Sequence, residues 1–169
     1  KILEIKNLKL NKIIKINIKN KKNLGSDRIA NAIGAKKFKN CLILDFGTAT
    51  TFDVIKNGIY EGGVIAPGVN LSIKNLSQAT ALLPLINLKS NQKSFGKNTI
   101  EALNAGFVWG YEGLINNIID KIISRDKIKY KILLTGGYAN FFYKMIKKKV
   151  VVDKDITIKG IANAYKELI

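Results

Sequence analysis

The alternation of apolar and polar residues at the start of the chain predicts a β-strand. Ile14, Ile16 and Ile18 fall on one face of an extended chain, with polar residues between them. A repeat of two residues is the period of a strand, so we expect residues 1–19 to be extended.

The next segment, "LGSDRIANAIGAKKF", has the repeat of three to four residues that predicts a helix. Ser26 or Asp27 is expected to cap its first turn, and Gly34 to mark its end. The apolar face of this predicted helix consists of Ile29, Ala30, Ala32 and Ile33.

From Cys41 onward the pattern predicts three consecutive antiparallel strands. "CLILDF" is an apolar run that ends at a Gly-Thr turn, "TFDVI" follows it, and "IYEGGVIA" comes after Asn57-Gly58. Asn-Gly is the strongest short hairpin signal, because both residues readily adopt a positive φ.

A helix is predicted after this meander, within residues 69–83. Leu71, Leu76 and Ala79 recur there at helical spacing and form the expected apolar face, and Pro84 ends the segment.

The stretch from Asn98 to Ser124 predicts a long helix, since its apolar residues recur every three to four positions. Gly106, Gly110 and Gly113 lie within it. A glycine inside a helix costs about 1 kcal/mol relative to alanine, so three of them predict close packing against another helix, within the chain or across a subunit interface.

Two strand-and-helix pairs follow, "YKILLTGGYANFFYKMIKK" and "VVDKDITIKGIANAYKELI". The predicted order is therefore β-α-β-β-β-α-α-β-α-β-α. A meander of strands followed by alternating strands and helices predicts an α/β fold of the ribonuclease-H-like type.

The composition agrees with a soluble globular protein. Hydrophobic residues make up 47% of the 169 residues, and no apolar run reaches the roughly 18 residues that a membrane span needs. We therefore expect a cytoplasmic protein. Histidine is absent, which excludes Ser-His and Cys-His nucleophile pairs and leaves Asp, Glu, Lys or Tyr as acid or base. The single cysteine, Cys41, lies in an apolar run and is expected to be a buried thiol.

The formal charge of +17 predicts attraction for anionic small molecules such as nucleotides. Of 29 basic residues, the only arginines are Arg28 and Arg125, whereas specific recognition of nucleic acid favours the planar arginine fork. The lysines are spread over the whole chain, so we do not expect nucleic acid as a partner.

The first candidate site is the turn after Asp45 in "LILDFGTATTFDVI". Gly47 permits a tight turn, and the hydroxyls of Thr48, Thr50 and Thr51 are able to surround phosphate oxygens. The Asp45 carboxylate would hold a cation beside the phosphate. The structural alternative is a hairpin in which Asp45 accepts hydrogen bonds from turn amides.

The second candidate is "GSDR", Gly25 to Arg28. A carboxylate, a guanidinium and free backbone N–H groups share one small volume there, which suits a carboxylated substrate and a base for its hydroxyl. The alternative is a plain N-cap at Asp27 with a solvated Arg28.

The third candidate is "TGGYA", in which Gly136 and Gly137 separate a strand from a helix. A double glycine lets a planar ring or a phosphate approach the backbone closely, and a tight turn is the alternative explanation.

The fourth candidate is "GKNTIEA". Asn98 or Thr99 is placed to cap the long helix, with Glu101 in its first turn. Capping alone would explain this motif.

Six ordered motifs together resemble the type III pantothenate kinases, enzymes of coenzyme A biosynthesis. These motifs are "GSDRIANAIGA", "LILDFGTATTFDVI", "YEGGVIAPGV", "TALLPLI", "GKNTIEALNAGFVWGYEGLI" and "LLTGGYA". The resemblance implies an actin-like kinase fold with a ribonuclease-H-like core, and a homodimer. It also implies phosphorylation of pantothenate by ATP, with a divalent metal such as Mg²⁺ and with potassium or ammonium.

The resemblance also implies roles for individual residues. Asp27 would be the catalytic base that takes the proton from the pantothenate hydroxyl, and Asp45 would be the ligand of the monovalent cation. The substrate site implied by the resemblance is lined by Gly25, Ser26, Asp27, Arg28 and Thr99. The implied ATP contacts are Gly47, Thr48, Gly136 and Gly137.

The sequence departs from the family pattern in two places. The family's Asp-x-Gly-Asn-Thr phosphate loop does not occur in it, so we expect an incomplete N-terminal domain at residues 1–40, followed by a ribonuclease-H-like domain at residues 41–169. Many members also have a pantothenate-binding Tyr at the position that Ile18 occupies. Two alternatives therefore stay open: a non-catalytic homologue that acts as a regulator or binds nucleic acid, and another sugar or acid kinase of the same superfamily.

Overall fold

A single mixed sheet organises the chain. The computed structural model describes residues 4–90, 94–126 and 128–167. The strands are β1 (Lys15–Ile16), β2 (Cys41–Phe46), β3 (Ala49–Lys56), β4 (Ile59–Pro67), β5 (Lys131–Gly136) and β6 (Val150–Val152). They form one six-stranded sheet in the order β1-β4-β3-β2-β5-β6. The two antiparallel pairs are β2–β3 and β3–β4, and the other neighbours run parallel.

Helices cover both faces of the sheet. They are α1 (Ser26–Gly34), α2 (Val69–Gln78), α3 (Thr99–Asp126), α4 (Ala139–Phe142) and α5 (Ile156–Lys166). Short 3-10 turns lie at Ile5–Asn7, Leu10–Lys12, Lys21–Asn23 and Tyr143–Met145. The order of strands and α-helices is the predicted one.

The alternation of side chains along β2 separates two cores. Leu42 and Leu44 pack in a cluster with α3, whereas Cys41 and Ile43 pack in a second cluster with α1 and α5. Successive residues of a strand point to opposite faces, so α3 lies on one face of the sheet, and α1 and α5 lie on the other.

The predicted hairpin between β3 and β4 is confirmed. Asn57 and Gly58 have φ angles of 53° and 75°, the left-handed values that a two-residue turn of this kind requires. Beyond the hairpin the register shifts once, between Val54 and Ile55, and Asp53 then pairs with Gly63.

The prediction of an extended segment 1–19 is wrong for most of its described residues. Only Lys15–Ile16 forms a strand, and 3-10 turns precede it. Ile13 and Ile14 are both buried although they are adjacent in sequence. Burial of two consecutive residues is incompatible with the period of two that the prediction assumed.

The predicted apolar face of α2 is also wrong. The helix buries Val69 and Ile73, while Leu71, Leu76 and Ala79 are exposed. Apolar residues recur at helical spacing on two faces of α2, and the sequence alone does not show which face meets the sheet.

The glycines of α3 do not pack closely within the described chain. A Cβ atom added at Gly106, Gly110 or Gly113 would meet nothing within 4 Å. Close packing inside the chain is therefore excluded for the described residues, and the possibility of a subunit interface stays a prediction.

Glycines do permit a close helix crossing elsewhere. A Cβ at Gly160 of α5 would overlap the carbonyl oxygen of Ala30 in α1, and a Cβ at Gly34 would overlap that of Ile156. The two backbones are thus in direct contact, which fixes α1 against α5.

The proposed division at residue 40 runs through a shared core. Ile29 and Ile33 of α1 belong to the same cluster as Ile43, Leu133 and Ile156, so the division stays a prediction. Among the described residues, no helix is both long enough and apolar enough to span a membrane.

Candidate active site

The start of α1 presents an exposed carboxylate. Gly25 is the N-cap, so the expectation that Ser26 or Asp27 caps the helix is wrong. The Asp27 side chain instead folds back, and its Oδ1 accepts a hydrogen bond of 2.9 Å from the backbone N–H of Arg28. A Cβ at Gly25 would overlap this Oδ1 atom. Gly25 is therefore the residue that leaves room for this orientation of the Asp27 carboxylate.

Arg28 is bound to a buried aspartate of β3. Its Nε and Nη2 each donate to Oδ1 of Asp53, at 2.7 Å. The hydroxyl of Tyr60 donates to the same oxygen at 2.7 Å, and the hydroxyl of Thr51 donates to Oδ2 at 3.4 Å. Asp53 has no exposed surface. Arg28 is therefore not the solvated side chain of the alternative interpretation.

Linked hydrogen bonds from α1 and α5 orient the Asp45 side chain. Its Oδ2 accepts a hydrogen bond of 2.8 Å from Nδ2 of Asn31, and Oδ1 of Asn31 accepts one of 2.6 Å from the hydroxyl of Thr157. Because an ionised carboxylate only accepts hydrogen bonds, the amide nitrogen of Asn31 must face Asp45, and the Asn31 oxygen accepts from the Thr157 hydroxyl. The half-buried Asp45 is thereby connected to α1 and α5.

The charge of Asp27 influences the pKa values of both Asp45 and Asp53. Burial raises the pKa of Asp45, the Asn31 hydrogen bond lowers it in part, and the negative charge of Asp27 raises it further. Burial likewise raises the pKa of Asp53, against the opposing effect of Arg28, and Asp27 again contributes to the rise. Asp27 thus lies close enough to both carboxylates to disfavour their ionisation.

The residues predicted to contact ATP lie on two adjacent turns. Gly47 and Thr48 form the exposed turn between β2 and β3. Gly136 ends β5 with a φ of 83°, and the N–H of Gly137 donates to the carbonyl of Phe46 at 3.0 Å. The structure therefore brings these four residues to the same edge of the sheet as Asp45.

The start of α2 packs against this edge of the sheet. A Cβ at Gly68, the N-cap of α2, would overlap the carbonyl of Thr48, so the two backbones touch. The hydroxyl of Tyr138, next to the double glycine, donates to Oδ1 of Asn70 in α2 at 2.6 Å. The start of α2 thus lies against the same turns.

Two of the three threonines in the first candidate site are not available to a ligand. Thr50 and Thr51 are buried within β3, on opposite faces of the sheet, and the Thr51 hydroxyl is directed at Asp53. Their proposed role around phosphate oxygens is therefore wrong, and Thr48 is the exposed hydroxyl of the group.

Thr99 lies apart from Asp27 within one chain. It begins α3, on the other face of the sheet, and lines an apolar cavity of about 410 Å³ between α2 and α3. The predicted helix cap beside it is confirmed at Asn98: Oδ1 of Asn98 accepts from the N–H of Glu101, and Oε2 of Glu101 accepts from the N–H of Lys97, both at 2.9 Å. The substrate role of Thr99 stays a prediction.

Sequence reasoning missed four residues of the site, namely Asn31, Asp53, Tyr60 and Thr157. Asp53 carried a usable signal, because a carboxylate between Phe52 and Val54 in an apolar strand must find a buried partner. The other residues carry no comparable local signal.

Comparison with known proteins places the chain in a family. The family model for type III pantothenate kinase matches residues 1–121. A type III pantothenate kinase from Pelagibacter ubique (strain HTCC1062) is 54% identical over 162 residues, which are 95% of this chain and 65% of the relative. One from Ruegeria sp. (strain TM1040) is 40% identical over 145 residues, 84% of this chain and 56% of the relative. The chain thus spans less than two thirds of the length of these relatives.

Solved structures support the fold. A Campylobacter jejuni protein, described as a proposed transcriptional activator of the Baf family, superimposes with a TM-score of 0.67 at 26% identity, over 93% of this chain and 70% of the other. The ethanolamine utilization protein EutJ from Carboxydothermus hydrogenoformans gives a TM-score of 0.52 at 19% identity, over 81% and 53%. The α/β fold is that of the actin-like ATPases, as the sequence predicted. With its motifs, fold and relatives in agreement, the chain belongs to the type III pantothenate kinase family.

Proposed function

We propose that the complete protein is a pantothenate kinase that transfers the γ-phosphoryl group of ATP to the hydroxyl of pantothenate, giving 4'-phosphopantothenate for coenzyme A biosynthesis. The observation that carries this proposal is the exposed, backbone-oriented carboxylate of Asp27, whose charge acts on Asp45, the carboxylate that lies against the turns of Gly47 and Gly136. Phosphoryl transfer depends chiefly on positioning and on charge neutralisation, with a carboxylate near the attacking hydroxyl.

Asp27 is assigned the role of base. Its Oδ1 is occupied by the Arg28 N–H, and the side chain is otherwise open to solvent, so a bound hydroxyl has access to the carboxylate. Gly25, Ser26 and Arg28 surround this position and would hold the pantothenate, with Thr99 as a further predicted contact. General bases of this kind contribute about 10²- to 10⁴-fold to the rate.

Asp45 fits a monovalent cation. Oδ2 is bound by Asn31, whereas a Cβ at Gly136 would lie 2.6 Å from Oδ1. The absence of a side chain at Gly136 thus allows its turn to approach one carboxylate oxygen, Oδ1, which is a hard oxygen ligand of the type that such cations bind. A bound potassium or ammonium ion would offset the repulsion between Asp45 and the ATP phosphates.

The described residues contain no group of three or more His, Cys, Asp or Glu side chains suited to a metal. We therefore propose that Mg²⁺ binds chiefly through the phosphates of ATP, as is usual for this ion. Gly47, Thr48, Gly136 and Gly137 would contact the nucleotide. We also propose that the complete protein is a cytoplasmic homodimer.

The test is turnover of pantothenate by the complete protein with ATP, Mg²⁺ and potassium, measured as 4'-phosphopantothenate by mass spectrometry. We expect D27N to lose about 10²-fold or more of the rate with an unchanged melting temperature. D120N is the matched control. Asp120 is an exposed aspartate of α3 that pairs with Lys148, and it is remote from the site.

Two outcomes would contradict the proposal. Absence of turnover in the wild-type protein, together with salt-sensitive binding of DNA, would favour a regulator. Retention of more than about a tenth of the rate in D27N would remove Asp27 as the base.

A further inference from the structure

Asp53 is a buried carboxylate at the centre of the α1 face of the sheet. It has no exposed surface, and it accepts hydrogen bonds from two nitrogens of Arg28, the hydroxyl of Tyr60 and the hydroxyl of Thr51. A buried charge is stable only when it is paired and hydrogen-bonded. Asp53 therefore requires Arg28, and Arg28 is held in one place by that requirement.

The geometry around Arg28 supports a fixed position. The guanidinium carbon lies 5.9 Å from the centre of the Tyr60 ring, and a Cβ added at Gly63 would lie 2.7 Å from Nη2. Burial by itself would lower the pKa of Arg28, but Asp53 outweighs this effect and raises it. Burial and the charge of Asp53 raise the pKa of Tyr60, so its hydroxyl stays a donor.

One residue joins this buried pair to the exposed carboxylate. Arg28 contributes its side chain to Asp53 and its backbone N–H to Oδ1 of Asp27. The Asp53 contact anchors the Arg28 side chain, and through it the backbone N–H to which the Asp27 carboxylate is hydrogen-bonded. The connection runs from Tyr60 to Asp53, then to Arg28, and ends at Asp27.

We propose that Asp53 and Tyr60 are positioning residues for the phosphoryl transfer, which hold the first turn of α1, and with it the Asp27 carboxylate, through Arg28. Neither residue needs to touch the substrate. This inference rests on the proposed function for its kinetic readout, but its structural readout does not.

The experiment compares Y60F with Y130F in the complete protein. Both tyrosines are at most 8% exposed, and both donate to an aspartate: Tyr60 to Asp53 at 2.7 Å, and Tyr130 to Asp126 at 2.9 Å. The two substitutions remove the same bond type. Only Y60F should lower kcat, by about 5- to 100-fold because misplacement of about 1 Å costs up to 10²-fold, with the KM for ATP unchanged.

The structural readout is hydrogen exchange at the Arg28 amide, which donates to Asp27. It should be faster in Y60F and unchanged in Y130F, whether or not the protein phosphorylates pantothenate. D53N, which keeps the shape but removes the charge, should give the same pattern if it folds. Equal kcat and equal exchange in Y60F and Y130F would overturn the inference, whereas a wild-type protein without turnover would overturn only the proposed function.

Discussion

The Asn31 amide donates a hydrogen bond of 2.8 Å to the Asp45 carboxylate, and this bond joins α1 to β2, one of the two central strands of the sheet. Together with the Arg28–Asp53 pair, it attaches α1 to two adjacent strands, β2 and β3. The two anchoring side chains stand three residues apart, on the same face of the helix.

Replacement of Asp45 should weaken the response to potassium. D45N keeps the size of the side chain but removes the charge that would bind the cation, so we expect a higher potassium concentration for half-activation and a loss of the thermal stabilisation by KCl relative to tetramethylammonium chloride. D155N, at the exposed start of α5, serves as the control. An unchanged potassium dependence in D45N would show that Asp45 is not the ligand.

Loss of the Thr157 hydroxyl should reproduce part of this effect. T157V leaves the buried oxygen of Asn31 without its donor, which should weaken the hold of the Asn31 amide on Asp45, so T157V should require more potassium than the wild type. T157S retains the hydroxyl and should restore the wild-type response. A defect shared equally by T157V and T157S would indicate packing of the methyl group instead of the hydrogen bond.

Alanine substitutions at two helical glycines should have opposite effects on stability. G160A places a methyl group against the Ala30 carbonyl, and we expect a loss of about 1–3 kcal/mol in the free energy of unfolding. G106A meets open space within the described chain, and it should gain up to about 1 kcal/mol. Denaturant unfolding measures both, and a destabilising G106A would instead indicate that another subunit covers α3.

The buried thiol of Cys41 should be inert in the folded protein. Cys41 has no exposed surface, and burial raises its pKa to about 12. Modification by iodoacetamide at about pH 8, followed on the Cys41 peptide by mass spectrometry, should require unfolding.

The same pKa predicts a loss of stability in alkali. The unfolded thiol releases its proton near pH 9, while the folded one retains it to about pH 12. The unfolded state therefore gains stability above pH 9, by roughly 1.4 kcal/mol per pH unit from this group. The difference in unfolding free energy between wild type and C41A should shrink from pH 9 to pH 11, and a constant difference would contradict the shift.

Local chemistry decided which parts of the fold were predictable. The Asn57-Gly58 hairpin and the Asn98–Glu101 cap depend on residues within four positions of each other, and both were predicted. The apolar face of α2 was predicted wrongly, because Leu71 and Ile73 are equally suited to burial by sequence. The choice between them depends on where the helix lies over the sheet.

The candidate site was predicted in part for the same reason. Asp27 and Asp45 were found through their motifs, whereas their supports come from distant elements. Asp53 is 25 residues from Arg28, and Thr157 lies on the last helix described. Such partners follow from tertiary packing, which no local pattern in a single sequence encodes.

The hydrogen bond between Thr157 and Asn31 joins residues 126 positions apart. During synthesis, Asp27, Asn31 and Asp45 leave the ribosome long before Thr157 is made. Contacts between distant residues also form slowly, since a large loop must close first. The orientation of Asp45 is therefore completed only when α5 docks, and a nascent chain that still lacks this helix would carry the carboxylates of the site without their final arrangement.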